Sequence, residues 1–439
     1  MTQQTTPLIA GHPYASPAGA PRHIVIIGAG IVGAATAVEL LRDGHTVTIV
    51  EPGPPGGEQA ASYGNGTILS PGSMIPVSLP GLWKKVPRYL ADPLGPLAIR
   101  WSYLPKLLPW LLRFVAAGAT IPKVERTARA LAPLLADAPE RHARLAQEAG
   151  IPHLIERHGI LYPYPTRADF EAEALAWRIR ADNGITWLEL DADALRQQEP
   201  ALDRRYQFAL LLQHGGNCTD PGTYVAALVA HAETQGATRI TAQATGFRIE
   251  NNRLQAVLTT TGEIPCDAAV ISAGAHSKPL AQAAGDQVSL ETERGYHAVL
   301  EGTDIHLRHP MLTSDTKSAV VSTRTGLRVA GTVELAGLDA APNWARAEKL
   351  RDVMLKTFPS LPRDLPPDRI KLWMGHRPST PDGLPVVGPA TATPDIIHAY
   401  GHGHIGLASG PMTGRLVADL VSNHPPTIEI GPFSPQRFQ

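Results

Sequence analysis

The chain of 439 residues has only two cysteines, Cys218 and Cys266, and no CxxC pair. That scarcity excludes a disulfide framework, a thioredoxin-like redox centre and a zinc ribbon, and makes the cytoplasm the expected compartment. Net charge is also missing: 39 basic residues face 40 acidic ones, a balance of -1. No global field draws such a chain to nucleic acid, so nucleic-acid binding is not expected as its main work. Nor is there an uncharged apolar run of ~18 residues, the length a membrane-spanning helix needs. The first 21 residues lack the basic start and apolar stretch of a secretory signal. Polar and rich in Pro, Gly and Thr, they read as a disordered tail.

Glycine and proline, by contrast, are abundant, at 40 and 41 residues. Their share stays below the roughly 25–30% of low-complexity disorder, so they punctuate a folded chain. At roughly 100–200 residues per domain the length allows two to three domain equivalents.

The β-branched run HIVII (23–27) enters Gly28-Ala-Gly30-Ile31-Val32-Gly33 and continues into a helical stretch. A second β-rich run, TVTIV, stops at Glu51. Strand, glycine turn, helix, strand and acid within about 30 residues make a dinucleotide-binding unit. Gly28 permits the turn, Gly30 lets backbone approach a pyrophosphate, and Gly33 lets helix and strand pack closely. The helix N-terminus offers free N–H groups to phosphate. Glu51 suits a free ribose and disfavours NADP, but does not separate FAD from NAD.

After Glu51 the chain runs through loop chemistry, where Ser62, Asn65 and Gly66 offer small and hydrogen-bonding groups to a cofactor. Residues 79–205 read as a mostly helical unit. Nine basic residues lie between Lys84 and Arg129, opposed by Asp92 and Glu125, with Trp83, Trp101 and Trp110 in the same stretch. Ordinary helices with a solvated basic face are the first reading; contact with an anionic membrane surface is the second. Residues 237–266 alternate as a β-meander turning at Asn251-Asn252. Another buried strand then ends at Ala273-Gly274. In Glu293-Arg294-Gly295-Tyr296-His297, alternation puts Arg294 and Tyr296 on one face and His297 on the other.

Near the end, Arg377 precedes a Pro-Asp-Gly turn. Gly401-His402-Gly403-His404-Ile405-Gly406-Leu407 then leads into a final helix. His402 and His404 are spaced to share one side of an extended strand. No third or fourth ligand has suitable spacing, so no metal is expected.

The segments GAGIVG, ASYGNG, VISAGAHS, ERGYH, GHRPSTPDGLPVVG and GHGHIGLASGPMTGRLVADL together resemble the FAD-dependent D-amino-acid dehydrogenases. That family lies within the superfamily of D-amino-acid, glycine and sarcosine oxidases, and the resemblance spans about residue 22 to the end. It implies an α/β fold: a Rossmann-like FAD-binding domain in discontinuous segments (22–78, 206–285 and 369–439). A sheet-and-helix substrate domain of α+β character would take 79–205 and 286–368. By the same resemblance Gly28, Gly30, Ile31, Val32, Gly33 and Glu51 bind the ADP half of FAD. Ser62, Asn65, Gly66, Ala273 and Gly274 approach the flavin, and Gly403, His404, Ile405, Gly406 and Leu407 contact its ring.

Arg377 matches the arginine that holds the substrate carboxylate in relatives, a task its planar, bidentate guanidinium suits. Tyr296, His297 and His404 are further candidate substrate contacts. Sarcosine oxidases attach flavin through a C-terminal cysteine; residues 286–439 have none, so noncovalent FAD is expected. The RGYH segment looks closer to a D-hydroxyproline-oxidising subgroup. The implied reaction passes the Cα–H of a neutral amine as hydride to flavin N5, giving an imino acid that hydrolyses. It needs no dedicated base, and none is assigned. The expected partners are an amino or imino acid and a quinone-like electron acceptor. An oxygen-using oxidase is the nearest rival; a noncatalytic dinucleotide-binding protein and an NAD-dependent dehydrogenase are more distant ones.

Overall fold

The computed structural model describes residues 20–82, 92, 94–95 and 97–439. Most of the expected tail, through residue 19, lies outside the described residues, as do Trp83, Lys84, Lys85 and Arg88 of the basic stretch.

Nine strands and seven helices position the site. In chain order the strands are β1 (His23–Ile27), β2 (Thr46–Val50), β3 (Thr238–Ile240), β4 (Ala268–Ile271) and β5 (Glu291–Leu300). They continue with β6 (Gly326–Leu335), β7 (Ile370–Ser379), β8 (Val386–Pro389) and β9 (Ile396–Tyr400). The helices are α1 (Ile31–Arg42), α2 (Leu104–Ala117), α3 (Ile121–Leu135), α4 (Ala138–Glu148), α5 (Pro221–Thr234), α6 (Ala345–Thr357) and α7 (Gly406–Val421).

The first sheet has the order β3-β2-β1-β4-β9-β8, parallel except for the β8–β9 pair. Its strands come from three separated stretches of chain. They are short apolar runs because both faces are covered, as parallel strands require. Helices α1, α5 and α7 share the core on one face. On the other lies an antiparallel meander, Ala244–Glu250, Arg253–Thr259 and Gly262–Pro265. Its tight turn sits at Asn251 and Asn252, with φ of 51° and 59°, as a two-residue hairpin turn demands. α1 and α7 approach closely because α7 presents glycine: a Cβ at Gly414 would lie 2.8 Å from the Ala35 carbonyl carbon.

The second sheet has nine strands, with β7, β5 and β6 side by side at one end. One face packs on α6 through Tyr296, Ala298, Val329, Leu350 and Met354. The other turns toward the first domain. This is the α/β architecture expected, with a Rossmann-like sheet assembled from distant segments.

The packing departs from the expected grouping of segments in two ways. Phe208–Leu212 and β7, grouped with the cofactor domain by sequence, pair into the large sheet. Conversely α3 and α4, grouped with the substrate domain, bury Val124, Leu131, Leu135 and Leu145 in the core of α1 and α7. The reason is α7 itself. Almost every residue of it is buried, so one neighbouring helix cannot cover it. No single helix among the described residues is long and apolar enough to cross a membrane.

Candidate active site

The glycine turn after β1 is shaped by close approach. Gly28 has φ of 106°, in the left-handed region that favours glycine. A Cβ at Gly33 would fall 1.9 Å from the Gly28 carbonyl oxygen and 2.9 Å from Ser272 Oγ. Glu51 spans the turn: its carboxylate accepts from the N–H of Ala29 at 2.8 Å and of Gly53 at 3.2 Å. Ser62 Oγ accepts from the N–H of Ile31 at 3.1 Å, so the 58–67 loop closes over the start of α1. The side chains of Ile31 and Val32 are buried in the core and leave only backbone to the turn. Within that loop the Asn65 side chain accepts from the N–H of Thr67, and Arg328 Nη1 donates to the carbonyls of Tyr63 and Asn65.

The inner face of the large sheet meets the same loop. β5 and β7 run antiparallel, pairing Glu293 with Arg377, Gly295 with Gly375 and His297 with Trp373. Alternation puts all six on one face. The two glycines leave a floor on which the larger side chains lie flat. A Cβ at Gly295 would be 2.3 Å from Arg377 Nη2, and one at Gly375 would be 1.9 Å from the Trp373 ring. Gly64, in the loop opposite, also presses on Trp373, with a Cβ distance of 2.0 Å. Trp373 stacks on His297 at 5.0 Å between ring centroids, and His297 Nδ1 lies 3.2 Å from the Gly64 carbonyl. Arg377 Nη1 donates to the Thr332 carbonyl at 3.2 Å, leaving most of its five donors uncommitted. Burial presses on its charge while Glu293 supports it.

The third wall is the turn before α7. Gly401 and Gly403 have φ of 86° and 53°, and Ser379 pairs with His402 in an isolated bridge that ties β7 to the turn. The backbone is a short 3-10 turn here, so His402 and His404 do not share one side of a strand. His402 is buried, with Nε2 2.9 Å from Thr413 Oγ1, and burial lowers its imidazole to about 3. His404 opens into a cleft lined also by Glu293, Ser379, Gly403, Phe114 and Leu131. Desolvation by the cleft walls, then the nearby Arg377 charge, lowers it to about 4. His297 is lowered to about 3 by burial, with Arg328 adding to the effect. Both imidazoles are therefore neutral near pH 7. The cleft thus holds the buried Glu293 carboxylate, Ser379 and the neutral His404 ring, with Arg377 near enough to act on the charge of both Glu293 and His404.

A family model for FAD-dependent oxidoreductases, of the D-amino-acid oxidase type, matches residues 23–420. The chain belongs to this family. Its relatives include a D-amino-acid oxidase of Bradyrhizobium diazoefficiens, 57% identical over 95% of this chain and 99% of that one. A D-amino acid dehydrogenase of Paramagnetospirillum magneticum is 33% identical, covering 94% of this chain and 98% of that one. Glycine oxidase from Geobacillus kaustophilus shares the fold with a TM-score of 0.70 at 23% identity, covering 94% of this chain and 98% of that one. L-proline dehydrogenase from P. horikoshii does so with 0.72 at 18% identity, covering 95% and 98%.

The residues present fit the FAD of this family. The Gly28–Gly33 turn is a cradle in which a Cβ at Gly28 or Gly33 would collide with backbone or side chain, while Gly30 stays open, 3.5 Å from its nearest neighbour. A Cβ at Gly274 would meet nothing within 4 Å, so backbone is exposed there too. Along the flavin side, Thr67 Oγ1 and Arg328 Nε are buried without hydrogen-bond partners, as polar groups awaiting a ligand would be.

Of the residues singled out by sequence, His404 and Gly403 line the cleft, Arg377 acts on His404 and on Glu293 in its wall, and His297 meets the Ser62–Gly66 loop at the Gly64 carbonyl. Tyr296 does not. It points to the α6 side, where its hydroxyl donates to Glu334 at 2.6 Å and accepts from the N–H of Asn343. Alternation along β5 forbids it from sharing a face with His297. Ile405 and Leu407 are core residues whose side chains turn away, so only their backbone borders the turn. Sequence reasoning missed Trp373, Glu293, Ser379 and Arg328. Glu293 and Ser379 stand inside the ERGYH and GHRPS segments, Trp373 two residues before the second, and the period-2 pattern puts Glu293 on the face of His297.

Proposed function

We propose that this protein oxidises D-amino acids to 2-oxo acids by removing the Cα hydrogen of the neutral amine. Arg377 carries the reading: a guanidinium with uncommitted donors, held over Gly295 at the rim of the cleft. It holds the substrate carboxylate through two oxygens at once, which fixes Cα in position. The FAD-binding residues are the Gly28–Gly33 turn, Glu51 for the ribose, the Ser62–Gly66 loop, Ala273–Gly274 and the 403–407 turn. When bound, FAD supplies the hydride acceptor. His297 and His404, being neutral, leave Arg377 as the cation of the cleft and do not compete with it for the carboxylate. Phe114 of α2 and Leu131 of α3 supply apolar walls to the cleft.

The substrate class follows the names of the relatives, and the hydroxyproline-like reading of ERGYH makes cyclic imino acids part of the test. Anaerobic bleaching of the flavin across D- and L-amino acids, prolines and N-methyl glycines should show reduction by D-amino acids. Bleaching by L-amino acids alone would overturn the stereochemistry. Arg377→Lys should lose on the order of 2–5 kcal/mol in kcat/KM with flavin retained, and near wild-type kinetics would remove the carboxylate role. We place a quinone-like acceptor first. The name of the 57% identical relative favours oxygen as a second reading. Turnover compared between oxygen and a quinone decides between them.

A peripheral membrane contact on the cytoplasmic side belongs to the same proposal. Trp101, Leu108, Leu112 and Val115 form an exposed apolar stripe along α2, flanked by exposed Lys106, Arg113 and Lys123. That pairing suits an anionic bilayer. Sedimentation with phosphatidylglycerol vesicles should fall in Leu112→Glu; absence of binding in the parent protein would refute the contact.

A further inference from the structure

An α-amino acid brings two charges to its site, an ammonium bonded to Cα and a carboxylate on the neighbouring bond of the same Cα. Arg377 answers the carboxylate. The opposite charge also has a counterpart in the cleft, and it lies directly across the strand pair. Resting on the amino-acid reading above, we propose that the Glu293 carboxylate is the subsite for the substrate's α-amino group, meeting it as ammonium and taking up the one proton that must leave nitrogen before the neutral amine gives its Cα hydrogen as hydride.

Three observations carry this. Glu293 is the cross-strand partner of Arg377 on the same sheet face, so the two charges stand side by side as those of a zwitterion do. Each acts on the other's charge, while Arg377 spends one donor on the Thr332 carbonyl and Glu293 lines the cleft with His404 and Gly403. Glu293 is 8% exposed, and a carboxylate buried to that degree needs a counter-charge or hydrogen-bond donors to stay ionised. Second, Ser379 Oγ, from the adjacent register position of β7, is buried in the same cleft wall. It lies close enough to favour the Glu293 charge, yet makes no hydrogen bond of good geometry. A polar group left so in a wall 3.4 Å from the Cβ position of Gly403 is waiting for a ligand atom. Third, the cations near this carboxylate are few. Among the described residues Arg377 is the cation that acts on it, and Arg377 is needed by the other end of the substrate.

Desolvation raises the Glu293 pKa and Arg377 holds it down, so the ionised form depends on its neighbours. An incoming ammonium is a further stabiliser. A 2-hydroxy acid keeps the carboxylate and replaces that ammonium by a neutral hydroxyl, so the subsite discriminates against it.

The test uses the FAD-loaded full chain. Glu293→Gln is compared with the parent protein for KM of a D-amino acid and for competitive inhibition by D-lactate. KM should rise about 30-fold or more, the lower range for removing one partner of a buried charge pair. D-lactate inhibition should be unchanged, and Glu293→Asp should recover part of the loss in KM. An unchanged amino-acid KM overturns the proposal. So does an equal weakening of both ligands, because Glu293 would then act only by holding Arg377 in place. A parent flavin that no amino acid bleaches would instead overturn the reading beneath it.

Discussion

Gly295→Ala isolates the position of Arg377 from its charge. The new Cβ would sit 2.3 Å from Arg377 Nη2 and 2.4 Å from Cζ, against an ordinary contact of 3.4–4 Å. The guanidinium must therefore move by roughly 1 Å, and a displacement of that size in a positioning group costs about 10²-fold in rate. Stability should go the other way. Gly295 lies outside the left-handed region, so alanine meets no backbone strain. Replacing glycine inside a strand gains roughly 0.5–1 kcal/mol. The clash is with the far end of a flexible side chain, which moves without disturbing the sheet. The expected protein is equally or more heat-stable, holds its flavin, and loses about 100-fold in kcat/KM for D-amino acids. Flavin absorbance, thermal melting and steady-state kinetics measure the three quantities. Wild-type kcat/KM in this variant would refute the idea that the Gly295 floor sets the place of the carboxylate-binding group.

Two further outcomes follow from other contacts. Gly33→Ala drives a Cβ to 1.9 Å from the Gly28 carbonyl oxygen, a backbone clash that cannot be relieved by a rotamer. The purified variant should be colourless or weakly coloured, with stability lowered by about 1–3 kcal/mol; full flavin occupancy would contradict the cradle geometry. Arg415 on α7 holds Glu39, Asp43 and Asp419 together, and although burial pushes the Asp43 carboxyl up, Arg415 brings it below its ordinary 3.8. A depressed folded pKa contributes stability that is present above the unfolded value and is lost as pH falls through the folded one. Arg415→Met should cost on the order of 3–5 kcal/mol near pH 7 by taking the cation from Asp43 and Asp419, while Glu39 keeps Arg42. Burial then raises Asp43, so the variant should gain relative stability as pH drops toward 5. A parallel shift of both stability curves would refute the linkage.

The dinucleotide unit was legible because its physics is local. A strand, a glycine turn and a helix N-terminus within one short stretch specify one another through backbone contacts. The meander turn at Asn251-Asn252 was legible for the same reason. The proposal for Arg377 rests on its motif, since nothing local says what the guanidinium lies on. Its floor, Gly295, is 82 residues upstream and reaches it through the register of β5 on β7. Alternation separated Tyr296 from His297 correctly but could not say which face was inner. That choice was made by α6 on one side and the 58–67 loop on the other. The grouping of α3 and α4 failed in a similar way. Their apolar stripes announce burial without naming the partner, and the partner was α7, more than 250 residues away.

The glycine pair at the middle of β5 and β7 explains how a sheet can face a cofactor at all. Gly295 and Gly375 stand opposite each other in two ten-residue strands, where β-branched residues would pack better and glycine costs roughly 0.5–1 kcal/mol apiece. With side chains at both positions the inner face would be one methyl layer thicker, and neither Arg377 nor Trp373 could lie along it. Glycine instead lets the guanidinium fold over one strand and the indole over the other, with His297 stacked behind the indole. The charged and aromatic groups are thus held parallel to the sheet rather than projecting from it. A single Cβ at either position pushes one of these groups aside, which is why the site is read better from what the two strands omit than from what they display.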